Sequence, residues 1–368
     1  MRKRLVFVIL AVIAAALLSG CASSAARGAS WPGLAADGTA AYLSDGAYIY
    51  AINLKDGHEL WHYPAKANSK LSFIATPVIT PNGLVIVGSA GTDHTLFAIN
   101  PKDINTETKS PVEAWTFTGA EDHWVAAPVI IDNRLFAPNA DGNLYVFSLD
   151  DGQSSKKPVT IVELNGRLWA QPVTDGERIF VTSLDHSMYA VDLETYKILW
   201  HKDLNGAVPG APVMGSDGML YVGSFASQLE RFNPATGKHV SVMDTDGWIW
   251  NTPSIEGDTL YFADLNGKFY SFNAKEKKLN WSPVQPDGPI TANPLIMGDS
   301  ILVATESGSV FELDQEGRSK VWSQPGGKIY TTPVLSGDLV LVAPLGADNY
   351  LYAYGSDGHQ AWVFTPGK

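Results

Sequence analysis

The sequence predicts an all-β chain folded as a single eight-bladed β-propeller of four-stranded antiparallel blades. A proline followed by apolar residues recurs at Pro32, Pro77, Pro128, Pro172, Pro212, Pro253, Pro294 and Pro333, at intervals of 45, 51, 44, 40, 41, 41 and 39 residues. Between these prolines the apolar residues keep the short period of strands, and no stretch carries a helical pattern. A tryptophan closes six of the copies, at Trp61, Trp115, Trp200, Trp281, Trp322 and Trp362. A four-stranded sheet of about 43 residues cannot cover both of its faces alone, so the copies must stack, and radial closure protects the ends of the stack.

The chain opens with Arg2, Lys3 and Arg4 before an apolar run from Leu5 to Leu18. This reads as a signal peptide over 1–20, too short for a span that needs about 20 apolar residues. Leu18-Ser19-Gly20-Cys21 resembles the lipobox of bacterial lipoproteins, which implies lipidation of Cys21, a tether over 21–30, and an extracytoplasmic protein held at the outer membrane or cell surface. The alternative is an ordinary cleaved signal. Cys21 is the only cysteine, so disulfides, thiolate metal sites and a cysteine nucleophile are excluded from the remainder.

The propeller is assigned to 31–368, and eight copies leave no room for a second domain although length alone would suggest one. Within a copy, strands such as Leu84-Val85-Ile86-Val87, Leu144-Tyr145-Val146-Phe147, Met219-Leu220-Tyr221-Val222 and Leu351-Tyr352-Ala353-Tyr354 are separated by tight turns. Asp175-Gly176, Asp217-Gly218 and Gly257-Asp258 follow first strands, and Asp141-Gly142, Asn266-Gly267 and Ser307-Gly308 follow second strands. The first copy begins with its innermost strand and the last ends with its outermost, so the ring is expected to close by blade packing without a shared strand.

Acidic residues outnumber basic ones 38 to 26, a net charge of −12 that becomes about −15 without the three basic residues of the signal. Such a surface repels phosphate backbones, which argues against nucleic acid.

Leu96-Phe97-Ala98-Ile99-Asn100, Met188-Tyr189-Ala190-Val191-Asp192 and Asn233-Pro234-Ala235-Thr236-Gly237, with the Pro-Val starts and the fourth-strand Trp, resemble the quinoprotein-like PQQ-repeat propeller over nearly the whole chain after Cys21. The resemblance implies a quinoprotein alcohol dehydrogenase-like fold. For function it implies two alternatives, because the repeat occurs in pyrroloquinoline-quinone dehydrogenases and in non-enzymatic lipoproteins such as the propeller subunit of the outer-membrane β-barrel assembly machinery. The dehydrogenases would need calcium ligands, an aspartate base and, in many cases, a vicinal cysteine pair, and the pair is absent. The expectation is a monomeric, non-catalytic lipoprotein that binds a protein partner or peptide, with no cofactor and no metal. PQQ with calcium, and a carbohydrate-binding role, stand as alternatives.

Two motifs are set aside. His58-Glu59-Leu60-Trp61-His62 matches the HExxH zinc pattern, which requires a helix. Here it sits in a predicted fourth strand, where four residues span roughly 13 Å at about 3.3 Å each, too far for two imidazoles about 2.0 Å from one zinc. The acidic turns Asp150-Asp151-Gly152, Asp314-Gln315-Glu316-Gly317 and Asp357-Gly358 recur at one connection and serve turn geometry rather than calcium.

Candidate binding residues come from the rim where the second-to-third loops and the blade-to-blade connections emerge together. The residue four before each repeat proline is apolar wherever the motif is complete, at Phe73, Trp124, Leu168, Val208, Ile249, Ile290 and Ile329, a regularity that reads as structural. The residue three before is irregular and includes Trp169, Trp250, Thr291 and Tyr330, while the residue before the proline is often polar, as in Gln171, Asn293 and Thr332. The partner-binding rim is therefore predicted from Trp124, Trp169, Gln171, Trp248, Trp250, Asn251, Asn293, Tyr330 and Thr332, with His123, Asp185 and His186 from the loops. Asp122, Asp264, Asp348 and Asn349 lie in the same set of loops. The competing reading is that the aromatics only wedge between blades.

Overall fold

The computed structural model describes residues 31–150 and 156–367. The signal-like run, Cys21, the 21–30 segment and part of the Asp150-Asp151-Gly152 turn lie outside the described residues. Among the described residues there are eight four-stranded antiparallel sheets, each made of strands consecutive in sequence. They occupy 33–63, 78–117, 129–163, 173–203, 213–244, 254–279, 295–323 and 334–364 and are numbered blades 1 to 8. In blade 1 the strands are Gly33–Ala36, Ala40–Asp45, Tyr48–Asn53 and Glu59–Tyr63, from axis to periphery.

The two middle strands of a blade are covered on both faces by its neighbours. Leu144, Tyr145, Val146 and Phe147 of blade 3 are all at most 2% exposed, which is why such strands read as unbroken apolar runs rather than as strict alternation. Each apolar cluster bridges two blades: Ile86, Leu96, Ala98 and Trp115 of blade 2 meet Leu135, Ala137, Tyr145 and Phe147 of blade 3. The ring closes in the same way, with Leu34, Leu43 and Ile52 of blade 1 packed on Leu341, Leu351 and Trp362 of blade 8. Among the described residues no strand is shared between the two ends, as expected.

The outer tryptophans and the glycine turns form one joint. The indole N–H of Trp362 in blade 8 donates to the Leu54 carbonyl of blade 1 at 2.9 Å, and that of Trp200 in blade 4 donates to the Pro234 carbonyl of blade 5 at 2.9 Å. Gly57 and Gly237 lie beneath these rings at φ +76° and +66°, and a Cβ on either would come within 2.6 and 2.7 Å of the indole. Both a positive φ and a missing side chain are therefore needed at these turns.

The rejected HExxH string forms an outer strand, Glu59–Tyr63. The His62 ring pairs with Glu59 at 2.7 Å and the His58 ring with Asp56 at 2.5 Å, so the two imidazoles have separate local partners. In the acidic turns, Asp314 accepts backbone N–H groups from Glu316 and Arg318, and Asp357 accepts one from His359.

Candidate functional site: an aromatic mouth on the axis

The connection entering each blade has a positional code set by the backbone. Five residues before the repeat proline, the carbonyl accepts a hydrogen bond from the second-to-third loop of the same blade. Ala90 donates to Ser72, Ala140 to His123, Leu184 to Arg167, Phe225 to Ala207, Leu265 to Trp248, Glu306 to Pro289 and Leu345 to Lys328, at 2.7 to 3.0 Å. These bonds hold the two loop sets on one rim, as strand direction required. Four before the proline, Phe73, Trp124, Leu168, Val208, Ile249, Ile290 and Ile329 are all at most 1% exposed.

Three before the proline, the side chains turn to the axis. Ile74, Val125, Trp169, Pro209, Trp250, Thr291 and Tyr330 all line one central cavity of about 610 Å³. Trp31, just before blade 1, reaches into the same space and touches three of the rings. Its centroid lies 6.3 Å from Trp169, 6.2 Å from Trp250 and 6.1 Å from Tyr330, the first two edge-to-face. Trp169 and Trp250 are themselves 6.2 Å apart. These separations fall in the range aromatic pairs prefer. Phe225 continues the cluster outward, 5.6 Å from Trp250 and stacked at 4.8 Å on Trp248, which is 53% exposed.

The predicted rim thus divides. Trp169, Trp250 and Tyr330 come together at the mouth and Trp248 stands at its edge, whereas Trp124 does not belong to it. Trp124 occupies the fourth position before its proline, is 1% exposed, and donates its indole N–H to the His94 carbonyl at 2.8 Å. The wedge reading holds for this one ring. Asn251 is also a correction: it is 2% exposed, its amide donates to the Ala263 and Ile290 carbonyls at 3.1 and 3.3 Å, and it accepts the Ala263 N–H at 3.2 Å.

The polar residues before the prolines line the cavity but are engaged between blades. The Ala211 N–H donates to Thr252 Oγ1 at 2.8 Å, the Thr252 N–H to Asn293 Oδ1 at 2.8 Å, and the Asn293 N–H to Thr332 Oγ1 at 3.1 Å. Gln171 donates to the Pro128 carbonyl at 2.8 Å. Asn293, Thr332 and Gln171 are therefore stitches of the inner seam first and surface groups second. Asp185 is spent in its own turn, accepting from the Ser187 N–H at 3.0 Å and the Tyr189 hydroxyl at 2.7 Å. His186 is exposed at φ +76° and lines neither this cavity nor the one beside it.

Sequence reasoning missed Trp31, Phe225 and His94 as parts of this face. For His94 the signal was available: its loop and the connection holding Asp122 and His123 were already assigned to one rim. His94, Asp122 and His123 offer ligand atoms within 4.8 Å of one another. Beside them lies a second cavity of about 320 Å³, lined by Asp122, His123, Arg167, Trp31 and Trp169 among others. Burial alone would raise the Asp122 pKa, but hydrogen bonds from the ring and backbone N–H of His123, with the Arg167 charge nearby, hold the carboxyl below its usual range.

Comparisons with known proteins agree with this architecture. A family model described as outer membrane protein assembly factor BamB matches overlapping segments 21–203, 154–240, 185–294, 226–327 and 285–367. The 1-butanol dehydrogenase (quinone) of Thauera butanivorans is 26% identical over 218 residues, 52% of this chain and 33% of that protein. Outer membrane protein assembly factor BamB of Shewanella oneidensis is 24% identical over 213 residues, 52% of this chain and 50% of that protein. The matches thus span half or less of these relatives. Among solved structures, BamB from Moraxella catarrhalis aligns with a TM-score of 0.66 at 18% identity, covering 88% of this chain and 91% of that one. The computationally designed Ika8 protein aligns with a TM-score of 0.68 at 12% identity, covering 92% and 98%. Likeness at these identities speaks for the fold alone, but the family model runs almost end to end, and the chain belongs to the PQQ-repeat β-propeller family described as outer membrane protein assembly factor BamB.

Proposed function

We propose that the chain is a non-catalytic, exported lipoprotein propeller that docks a protein partner at its aromatic mouth in the assembly of outer-membrane proteins. The observation that carries this reading is the convergence of Trp31, Trp169, Trp250 and Tyr330 from four blades onto one opening, extended by the exposed Trp248. Rigid rings at low entropic cost, rimmed by polar groups, are what protein interfaces use as anchors. Membership of the BamB-described family supports the assembly context. Trp31 also stands at the mouth itself, ten residues after Cys21. A lipid on Cys21 would keep the mouth within about 35 Å of the membrane surface.

The similarity to a quinone-dependent dehydrogenase motivates the second reading, and the cavity chemistry weighs against it. PQQ carries three carboxylates, which require cationic partners, and calcium takes 6–8 oxygen ligands. Among the described residues lining the central cavity the one charged group is Glu306, and none is Lys or Arg. The residues present do not fit the cofactor.

The test is photo-crosslinking in the native envelope from positions 248 and 250. Capture of a β-barrel assembly component is expected, and with the probe at position 248, Trp169→Ala with Trp250→Ala should lower its yield at least tenfold, since anchor residues each contribute about 2 kcal/mol or more. Dye-linked alcohol oxidation by the purified protein with PQQ and calcium, or retention of glycans with no protein captured, would overturn it.

A further inference from the structure

We propose that His94, Asp122 and His123 form a binding site for one divalent transition cation of the zinc class, on the rim beside the aromatic mouth. The three residues come from two loops that the repeat brings together: His94 from the second-to-third loop of blade 2, and Asp122 and His123 from the connection into blade 3. Their ligand atoms lie within 4.8 Å of one another, and the two imidazole centroids are 5.2 Å apart. Around a tetrahedral ion with bonds of about 2.0–2.1 Å, ligand atoms stand roughly 3.3 Å apart. The remaining distance is within the swing of the side chains, of which His123 is 47% exposed.

What separates this cluster from a chance grouping is how its backbone is held. Trp124, directly after His123 and buried at 1% exposure, donates its indole N–H to the carbonyl of His94 at 2.8 Å, tying one loop to the other through the core. The fully buried Asn139 donates its side-chain amide to the Asp122 carbonyl at 3.0 Å, and the Ala140 N–H donates to the His123 carbonyl at 3.0 Å. His94 itself sits in the left-handed region at φ +49°. That costs energy for a residue with a side chain, and such positions cluster at ligand-binding sites. This joint also accounts for the tryptophan at a position where five of the other six copies carry an aliphatic side chain.

Two imidazoles and one carboxylate are the donor set of zinc, copper and nickel rather than of calcium or magnesium. The Asp122 carboxylate already meets the His123 ring through one oxygen, while its other oxygen faces Arg167 Nε at 3.8 Å. Binding would part the first contact to admit the ion. Arg167 then holds the outer carboxylate oxygen, as second-layer partners of metal-ligating carboxylates do. Three protein ligands leave a fourth position for water or for a donor group carried by the mouth's occupant, on the side of the cavity that Trp31, Ile74, Val125 and Trp169 line.

The experiment is calorimetric titration of the purified protein with Zn²⁺, paired with visible absorption on adding Co²⁺. One equivalent of Zn²⁺ is expected, with the d–d bands of a tetrahedral nitrogen and oxygen site. His94→Asn keeps a residue that tolerates positive φ, and with His123→Gln and Asp122→Asn it should weaken Zn²⁺ binding by at least about tenfold. Each variant is checked by near-ultraviolet circular dichroism for native packing. His359→Gln, at an imidazole exposed on the last blade, should leave the titration unchanged. Failure to take up a stoichiometric ion, or uptake that persists undiminished in a natively packed His94→Asn/His123→Gln variant, would overturn the proposal.

Discussion

The inner seam of the ring is built differently on its two halves. From blade 5 to blade 8 the residue before each repeat proline bonds to its counterpart in the next blade, Ala211 to Thr252, Thr252 to Asn293 and Asn293 to Thr332. From blade 1 to blade 4 the same position holds Trp31, Thr76, Ala127 and Gln171. Ala127 has no side-chain oxygen to accept a neighbouring N–H, and the Gln171 amide reaches the Pro128 carbonyl instead. The less stitched half is the one that carries the second cavity and the His94, Asp122 and His123 cluster. A repeat position relieved of its structural duty is available for chemistry, and in this half Trp124 does the tying from the core.

The sharpest way to break this contrast is Trp124→Ala. It removes a large buried ring that packs on Tyr145 at 5.4 Å and on Phe117 at 6.4 Å, together with the indole bond that joins two loops. A loss of about 3–5 kcal/mol is expected, as for buried aromatics cut to alanine. Urea denaturation measures it, and a cost under 1 kcal/mol would mean that the blade 2 to blade 3 seam is held elsewhere.

On the stitched half the corresponding cut is Asn251→Ala. Its amide joins the end of the second strand of blade 6 to the connection into blade 7 from a site only 2% exposed, so deletion leaves the Ala263 N–H and two carbonyls without their partner. That costs about 1–3 kcal/mol. Gln171→Ala on the other half removes one bond from an exposed side chain and should stay within about 0.5 kcal/mol. Equal costs for the two substitutions would erase the distinction between the halves.

Most of the fold was legible because it is periodic. Proline spacing, turn chemistry and outer tryptophans each reappear in copy after copy, and one reading of a blade applies to all eight. The mouth was half legible. Irregularity three residues before the proline singled out Trp169, Trp250 and Tyr330, which do face the axis, because position in the repeat dictates direction. Irregularity before the proline misled, since Asn293 and Thr332 vary in identity while doing one backbone task. Asn251, two before its proline, misled because its amide serves buried backbone groups rather than the surface. Trp124 misled because an aromatic in a loop looks like a surface group unless its register is weighed above its type. The cluster of His94, Asp122 and His123 was not legible from spacing, and the one signal for it was that its two loops share a rim.

The smallest expected effect tests whether the better-stitched half is fully satisfied. Glu230 of blade 5 is 5% exposed, and among the described residues its Oε2 has no hydrogen-bond partner. Burial raises its pKa above the ordinary glutamate value, with Asp244 adding to the rise and His239 opposing it. The folded chain therefore holds this proton more tightly than the unfolded chain does. The stability it confers is complete below the unfolded pKa, near about 4.3, and is lost as pH rises through the higher folded value. Glu230→Gln preserves the shape without the charge, so it should raise the urea midpoint at pH 7.5 relative to the parent chain. The advantage should shrink steadily toward pH 4. A variant that is less stable than the parent at pH 7.5 would show that the ionised carboxylate has a stabilising partner around the third strand of blade 5.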